Sequence, residues 1–220
     1  DSDVDDKDGA FEALQAALRI DISDEPLRTN FEDLAIILGR PQAIIDLYKS
    51  AIENVDDDML KHDLYKRMAH IYEDQLDDAD KAIEAYRAMV EIDDMDVESL
   101  NALENLYTNA SNWTELLSVL KLKADVGNGD ERVDILRKMA SINRDFLNNA
   151  EGAIENYSEI LDNVSDDMDA LNALESLYTQ TENWEKLAEN YEIKRNLTSD
   201  ADEKHVLRNQ SAQRQEEKHK

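Results

Sequence analysis

Residues 100–113 read LNALENLYTNASNW and residues 171–184 read LNALESLYTQTENW, so one stretch of this 220-residue chain recurs 71 positions later. Sliding 64–120 onto 135–191 keeps that offset and gives 22 identities in 57 positions. Only about three or four arise by chance at ordinary residue usage. The register extends outward. KDGAFEAL (7–14) falls on AEGAIENY (150–157), FEDLAIILGRPQAII (31–45) overlays the segment containing LENLY, and VLR (206–208) overlays ILR (135–137). A period of this size marks stacked copies of one supersecondary unit.

The unit is helical. Apolar residues recur at spacings of three and four, as in Leu64, Met68, Ile71 and Tyr72 or Leu100, Leu103, Leu106 and Tyr107. Five Gly and two Pro are too few for a domain of tight β-turns. The pattern predicts about twelve helices, near 9–21, 26–38, 41–55, 59–76, 79–92, 96–109, 112–126, 130–147, 150–163, 167–180, 183–198 and 202–218. Connections this short make successive helices antiparallel hairpins. A lone hairpin cannot cover its own apolar stripe, so neighbours stack on it. The expectation is an all-α, right-handed α-α superhelix of about six hairpins. Residues 1–8 read as an acidic leader, 9–200 as the solenoid and 201–220 as a polar capping helix, because Gln210, Gln213 and Lys218 replace apolar positions there.

Charge narrows the partners. Fifty-two acidic residues against 24 basic ones leave −28, which repels a phosphate backbone and an anionic membrane. No apolar run reaches the 18 or so residues that span a bilayer. The chain contains no Cys, which excludes thiol catalysis, Cys-ligated zinc and disulfides, and the compartment stays open between cytoplasm and periplasm.

RMAHIYEDQLDDADKAIEAYRAMVEIDD (67–94) resembles the tetratricopeptide repeat family, with dimorphic hairpins similar to those of large bacterial multi-repeat proteins. Met68, Ala69 and Tyr72 sit at the motif's large, small and aromatic first-helix positions, and Ala82, Tyr86 and Met89 at its second-helix positions. Met139, Ala140, Ala153, Tyr157 and Ile160 repeat the set. Departures are a turn one residue longer, Asp94 where a closing proline is usual, Glu104 and Glu175 at the small-residue position, and Trp113 and Trp184 opening second helices.

Other constellations carry little chemistry. Aligning Gly9 with the invariant glycine of a calcium loop puts Val4 and Gln15 where carboxylates are required. The recurrent acid clusters precede helices, where Asp caps free N–H groups and meets the positive dipole end. His62, His70, His205 and His219 form no metal-spaced pair, and phosphate-loop and nucleophile-elbow motifs are missing. No metal, cofactor or catalytic residue is expected. Trp113 and Trp184 read as packing between hairpins.

The resemblance implies that first helices line a concave groove where partner segments lie. The positions expected to face inward are Lys66, Arg67 and His70, then Asn101 and Asn105, then Arg137 and Lys138, then Asn172, and finally Arg208. Lys, Arg and Asn donate well to a carboxylate or an extended backbone. Two readings stay open for the cations: groove donors, or counter-ions for acids inside the stack. The chain therefore reads as a non-enzymatic scaffold binding another protein or peptide, with a structural spacer or self-associating module as the alternative and a divalent-cation module as a minor one.

Overall fold

The computed structural model describes residues 2–217, and the side chains of 6–214. Among the described residues the ordered elements are twelve α-helices. They are α1 (Ser2–Ile20), α2 (Glu25–Ile37), α3 (Pro41–Ile52), α4 (Asp58–Asp74), α5 (Ala79–Ile92) and α6 (Val97–Asn109). After them come α7 (Trp113–Val126), α8 (Gly129–Asp145), α9 (Ala150–Asn163), α10 (Met168–Gln180), α11 (Trp184–Leu197) and α12 (Ala201–Glu217). Eleven starts fall within two residues of expectation. The exception is α1, which is helical from Ser2 rather than from about residue 9. No Pro separates the acidic start from the apolar stripe, the single Gly9 costs only about 1 kcal/mol inside a helix, and Asp is favourable at a helix N-terminus.

Backbone packing divides the chain into two compact units, 1–109 and 110–220. Within the first, each of α1 to α5 packs on its successor, and α1 also meets α3. Within the second, α7 to α12 pack in the same sequential way. Each unit is a run of helical hairpins of tetratricopeptide-like pattern. Met68, Ala69, Tyr72, Ala82, Tyr86 and Met89 are all buried, as are Ala140, Ala153, Tyr157 and Ile160. Met139 is partly buried against the same core.

The turns show why the hairpins tolerate one extra residue. Asp77, Ser111, Asn148 and Glu182 adopt φ between 49° and 54°, and Gly39 takes the equivalent place at 67°. Each sits just before the N-cap of a second helix, or one residue from it. The next amide then reaches back to the preceding helix, as in Asn183 N–H to Tyr178 O at 2.9 Å and Arg40 N–H to Ala35 O at 2.7 Å. This left-handed closure satisfies carbonyls that the helix end would leave bare.

Acid and amide side chains cap as expected. Asp24 accepts from Leu27 N–H, Asp57 from Met59 N–H, and Asp167 from Ala170 N–H, at 2.8–2.9 Å. Asn112 and Asn183 do the same for Glu115 and Lys186. Each such cap stabilises its helix by about 1 kcal/mol. Trp113 stacks on Phe146 of the next hairpin with centroids 4.0 Å apart, and the Arg214 guanidinium lies 4.9 Å over Trp184. Both indoles therefore pack between successive hairpins.

Candidate interaction faces

In the first unit, the first helices α2 and α4 stand side by side over a shallow cleft of about 350 Å³. Its lining includes Glu32, Ile36, Asp63, Lys66, Arg67 and His70. The structure thus brings three of the expected groove residues to one opening. Helical spacing explains it: 63, 66, 67 and 70 lie on one face of α4.

Charge across this cleft is internally matched. Arg67 reaches Glu32 at 2.9 Å, Asp63 at 3.1 Å and Glu25 at 3.5 Å. Partial burial works against its charge, but Glu32 and Asp63 outweigh that and raise the guanidinium pKa. The buried Arg28 bonds Asp63 at 2.9 Å and Ile22 O at 2.5 Å. Lys66 holds Glu98 at 2.6 Å, and His70 lies 3.9 Å from the same carboxylate. Asn101 and Asn105 are exposed on α6.

The second unit repeats the theme. Arg137 on α8 pairs with Asp167 before α10. Lys138, Asn172 and Arg208 are exposed on α8, α10 and α12 respectively. Sequence reading named the cations but missed their partners Glu32, Asp63, Glu98 and Asp167. A signal existed: 28/63, 32/67, 66/98 and 137/167 are separated by 30–35 residues, about one hairpin.

Glu175 at the small-residue position, and Glu32 at the equivalent place in FEDLA (31–35), also find a reason. Glu32 accepts from Tyr48 Oη at 2.5 Å, and Glu175 accepts from Tyr191 Oη at 3.3 Å and Lys194 Nζ at 2.5 Å. A second-helix hydroxyl thus meets a first-helix carboxylate where a small residue would pack. Burial and the Glu32 charge push the Tyr48 phenol well above its ordinary value.

Equivalent hairpins fill one core position differently. Tyr72 and Ala85 of α4/α5 become Asn143 and Asn156 of α8/α9, both buried. Asn143 Nδ2 donates to Asn156 Oδ1 at 3.0 Å, and Asn149 Nδ2 donates to Asn143 Oδ1 at 3.1 Å. Gly152 is required beside them, since a Cβ there would lie 2.9 Å from Asn143 Cγ and 2.5 Å from Asn149 Nδ2. In the first copy Lys81 takes that place, with its ammonium 5.7 Å from the Tyr72 ring.

Among the described residues, no group of three or more His, Asp or Glu is arranged to hold a metal ion. Among them, too, no helix is long and apolar enough to cross a membrane.

Fold and faces define a tetratricopeptide-like helical repeat protein. No protein-family model matches the chain, and no curated protein matches it. Solved structures do resemble it. A tetratricopeptide repeat protein from Parabacteroides merdae is 19% identical, covering 99% of this chain and 84% of its own, with a TM-score of 0.41. A thermophilic repeat protein of the same kind from Thermus thermophilus is 13% identical over 81% of this chain and 93% of its own, at 0.33. A kinesin-light-chain-like protein from Podospora anserina with nearly identical repeats is 12% identical over 93% and 97%, at 0.38.

Proposed function

We propose that this protein is a non-enzymatic interaction scaffold whose first-helix faces receive a segment of a partner protein. The observation that carries this is the α2–α4 cleft, which gathers Lys66, Arg67 and His70 around an opening floored in part by Ile36 and Ile71. The partner segment engages this cleft and Asn101 and Asn105 in the first unit. Arg137, Lys138, Asn172 and Arg208 serve the same role in the second. Because the cations hold intramolecular carboxylates, binding exchanges one ion pair for another, so geometry rather than raw charge selects the segment.

The test is peptide-library binding to wild type and to the Lys66/Arg67/Arg137/Lys138 quadruple alanine variant, with folding checked by circular dichroism. A parallel Asn101→Ala/Asn105→Ala variant removes no ion pair. Loss of affinity in both supports the groove. Unchanged affinity in both sinks the assignment.

A second reading, self-association, has its own observation. Ala82, Ala85, Tyr86 and Met89 of α5 are buried, as are their counterparts in α9. The equivalent Ala10 and Ala13 of α1 are exposed, and Leu14 and Ala17 are half-buried. A second copy of the chain covers this face in that reading. Sedimentation equilibrium decides it: a monomer at all concentrations, alongside peptide binding, favours the scaffold.

A further inference from the structure

The hairpins of the first unit have a second exposed feature, away from the α2–α4 cleft. The chain passes from a second helix to the next first helix three times there, between α1 and α2, α3 and α4, and α5 and α6. Antiparallel packing puts all three crossings on one edge. His62 on α4 contacts Asp96 ahead of α6, and Arg28 on α2 contacts Asp63 on α4, so neighbouring crossings lie side by side.

This edge is apolar where loops are ordinarily polar. Ile20 is 89% exposed, Met59 85%, Met95 62% and Val97 56%. Scattered apolar side chains are normal on a protein surface, but a grouped set rimmed by charge marks an interaction site. The group also has a cavity. Between the C-terminal ends of α1 and α3 opens a cleft of about 530 Å³, lined on its apolar side by Leu18, Ile20, Ile22, Leu47, Ala51 and Val55.

Asp21 and Arg19 also line this cleft, and further carboxylates mark the crossings. Asp21, Asp24, Glu25, Asp56, Asp57, Asp58, Asp93, Asp94 and Asp96 all belong to the three crossings. Several cap helices, which satisfies N–H groups and leaves the negative charge in place. Lys61 lies 3.5 Å from Asp58, Arg67 3.5 Å from Glu25 and the His62 ring 3.0 Å from Asp96, while the Arg28 charge acts on Asp21. The edge therefore combines flexible aliphatic and thioether side chains, a cleft that admits a large side chain, and an excess of carboxylates over cations.

Complementarity selects the occupant. A second copy brings the same acids and is repelled. A nucleic acid is repelled by the same field. An amphipathic helix with Leu, Ile or Phe on one face and Lys or Arg beside it satisfies both features, and methionine side chains adapt to varied apolar contours. We infer that the loop edge of residues 1–109 docks a cationic amphipathic helix of a partner protein, independently of the first-helix cleft.

A fluorescently labelled 18-residue Leu/Lys amphipathic helix is the probe, titrated by anisotropy into the full chain at 150 mM salt. The Ile20→Asn/Met59→Gln/Met95→Gln variant keeps every charge and changes only exposed positions. A scrambled peptide keeps composition and destroys the apolar face. The inference expects at least tenfold weaker binding for the triple variant and for the scrambled peptide. It also expects unchanged binding for Asn101→Ala/Asn105→Ala, which alters the proposed groove without touching any charge at the edge. Equal binding by wild type and triple variant reduces the attraction to bulk charge and overturns the inference, as does the lack of any binding.

Discussion

Replacing Asn156 by alanine removes the acceptor of a buried amide, and its consequence can be worked out from the geometry. Asn143 Nδ2 lies 3.0 Å from Asn156 Oδ1, and both residues are at most 9% exposed. Without Asn156 the donor stays buried with nothing to bond. That costs about 2 kcal/mol, within the usual 1–3 for a stranded polar group. At a urea slope of about 2 kcal/mol per M, the midpoint falls by about 1 M. The assay is well placed, because both tryptophans, Trp113 and Trp184, belong to the second unit and fluorescence reports that unit.

The equivalent hairpin supplies the compensating change. Asn143→Tyr combined with Asn156→Ala recreates the Tyr72/Ala85 pair, and Gly152 leaves the room that Lys81 takes in the first copy. Asn149, which loses its acceptor, is exposed and rebonds to water. The double variant therefore recovers at least 1 kcal/mol over Asn156→Ala, a positive coupling between the two sites. A midpoint shift below about 0.3 M for the single variant, or no recovery in the double, refutes the reasoning.

Glu182 holds φ at 53°, a strained value for a residue with a Cβ, so Glu182→Gly stabilises the second unit by about 0.5–1 kcal/mol in the same fluorescence assay. Arg67→Ala leaves Glu32 and Asp63 facing each other without their shared cation. Partial solvent access limits the loss to about 1–2 kcal/mol, seen by circular dichroism in the first unit. Burial works to raise the Asp167 pKa, but the Ala170 N–H and Arg137 outweigh it and hold the carboxyl below its ordinary range. A depressed carboxylate stabilises above its unfolded pKa of about 3.9 and loses that contribution as pH falls through the folded value. Fluorescence-monitored stability therefore falls below about pH 4, and Asp167→Asn, which can still cap, flattens that fall.

Much of the fold was legible because helical hairpin repeats are local. The i, i+3, i+4 stripes mark each helix, and the 71-residue recurrence of LNALE and LYT marks a repeating pair of hairpins. Asn112, Asn183 and the acids ahead of helices were readable as caps because capping involves residues two or three apart. The first helix was misjudged at its start, since the helix runs through Gly9, a residue that locally reads as the boundary between leader and helix. The role of Glu32 and Glu175 was not readable, because their tyrosine partners lie 16 residues away on another helix.

The groove shows the same boundary. Period and helical phase placed Lys66, Arg67 and His70 on one face, and the structure gathers them at one cleft. Whether those cations are open donors or paired ions depended on the lateral distance between α2, α4 and α6, and that is set by packing. Local periodicity, turn chemistry and charge count follow from the chain itself, so the amino-acid sequence determined the helices, the repeat and the net negative charge. Contacts 30–35 residues apart, the open face of α1 and the grouping of Ile20, Met59 and Met95 on one edge arise only when hairpins pack. Tertiary structure decided those because side-chain reach across a stack is a property of the assembled helices.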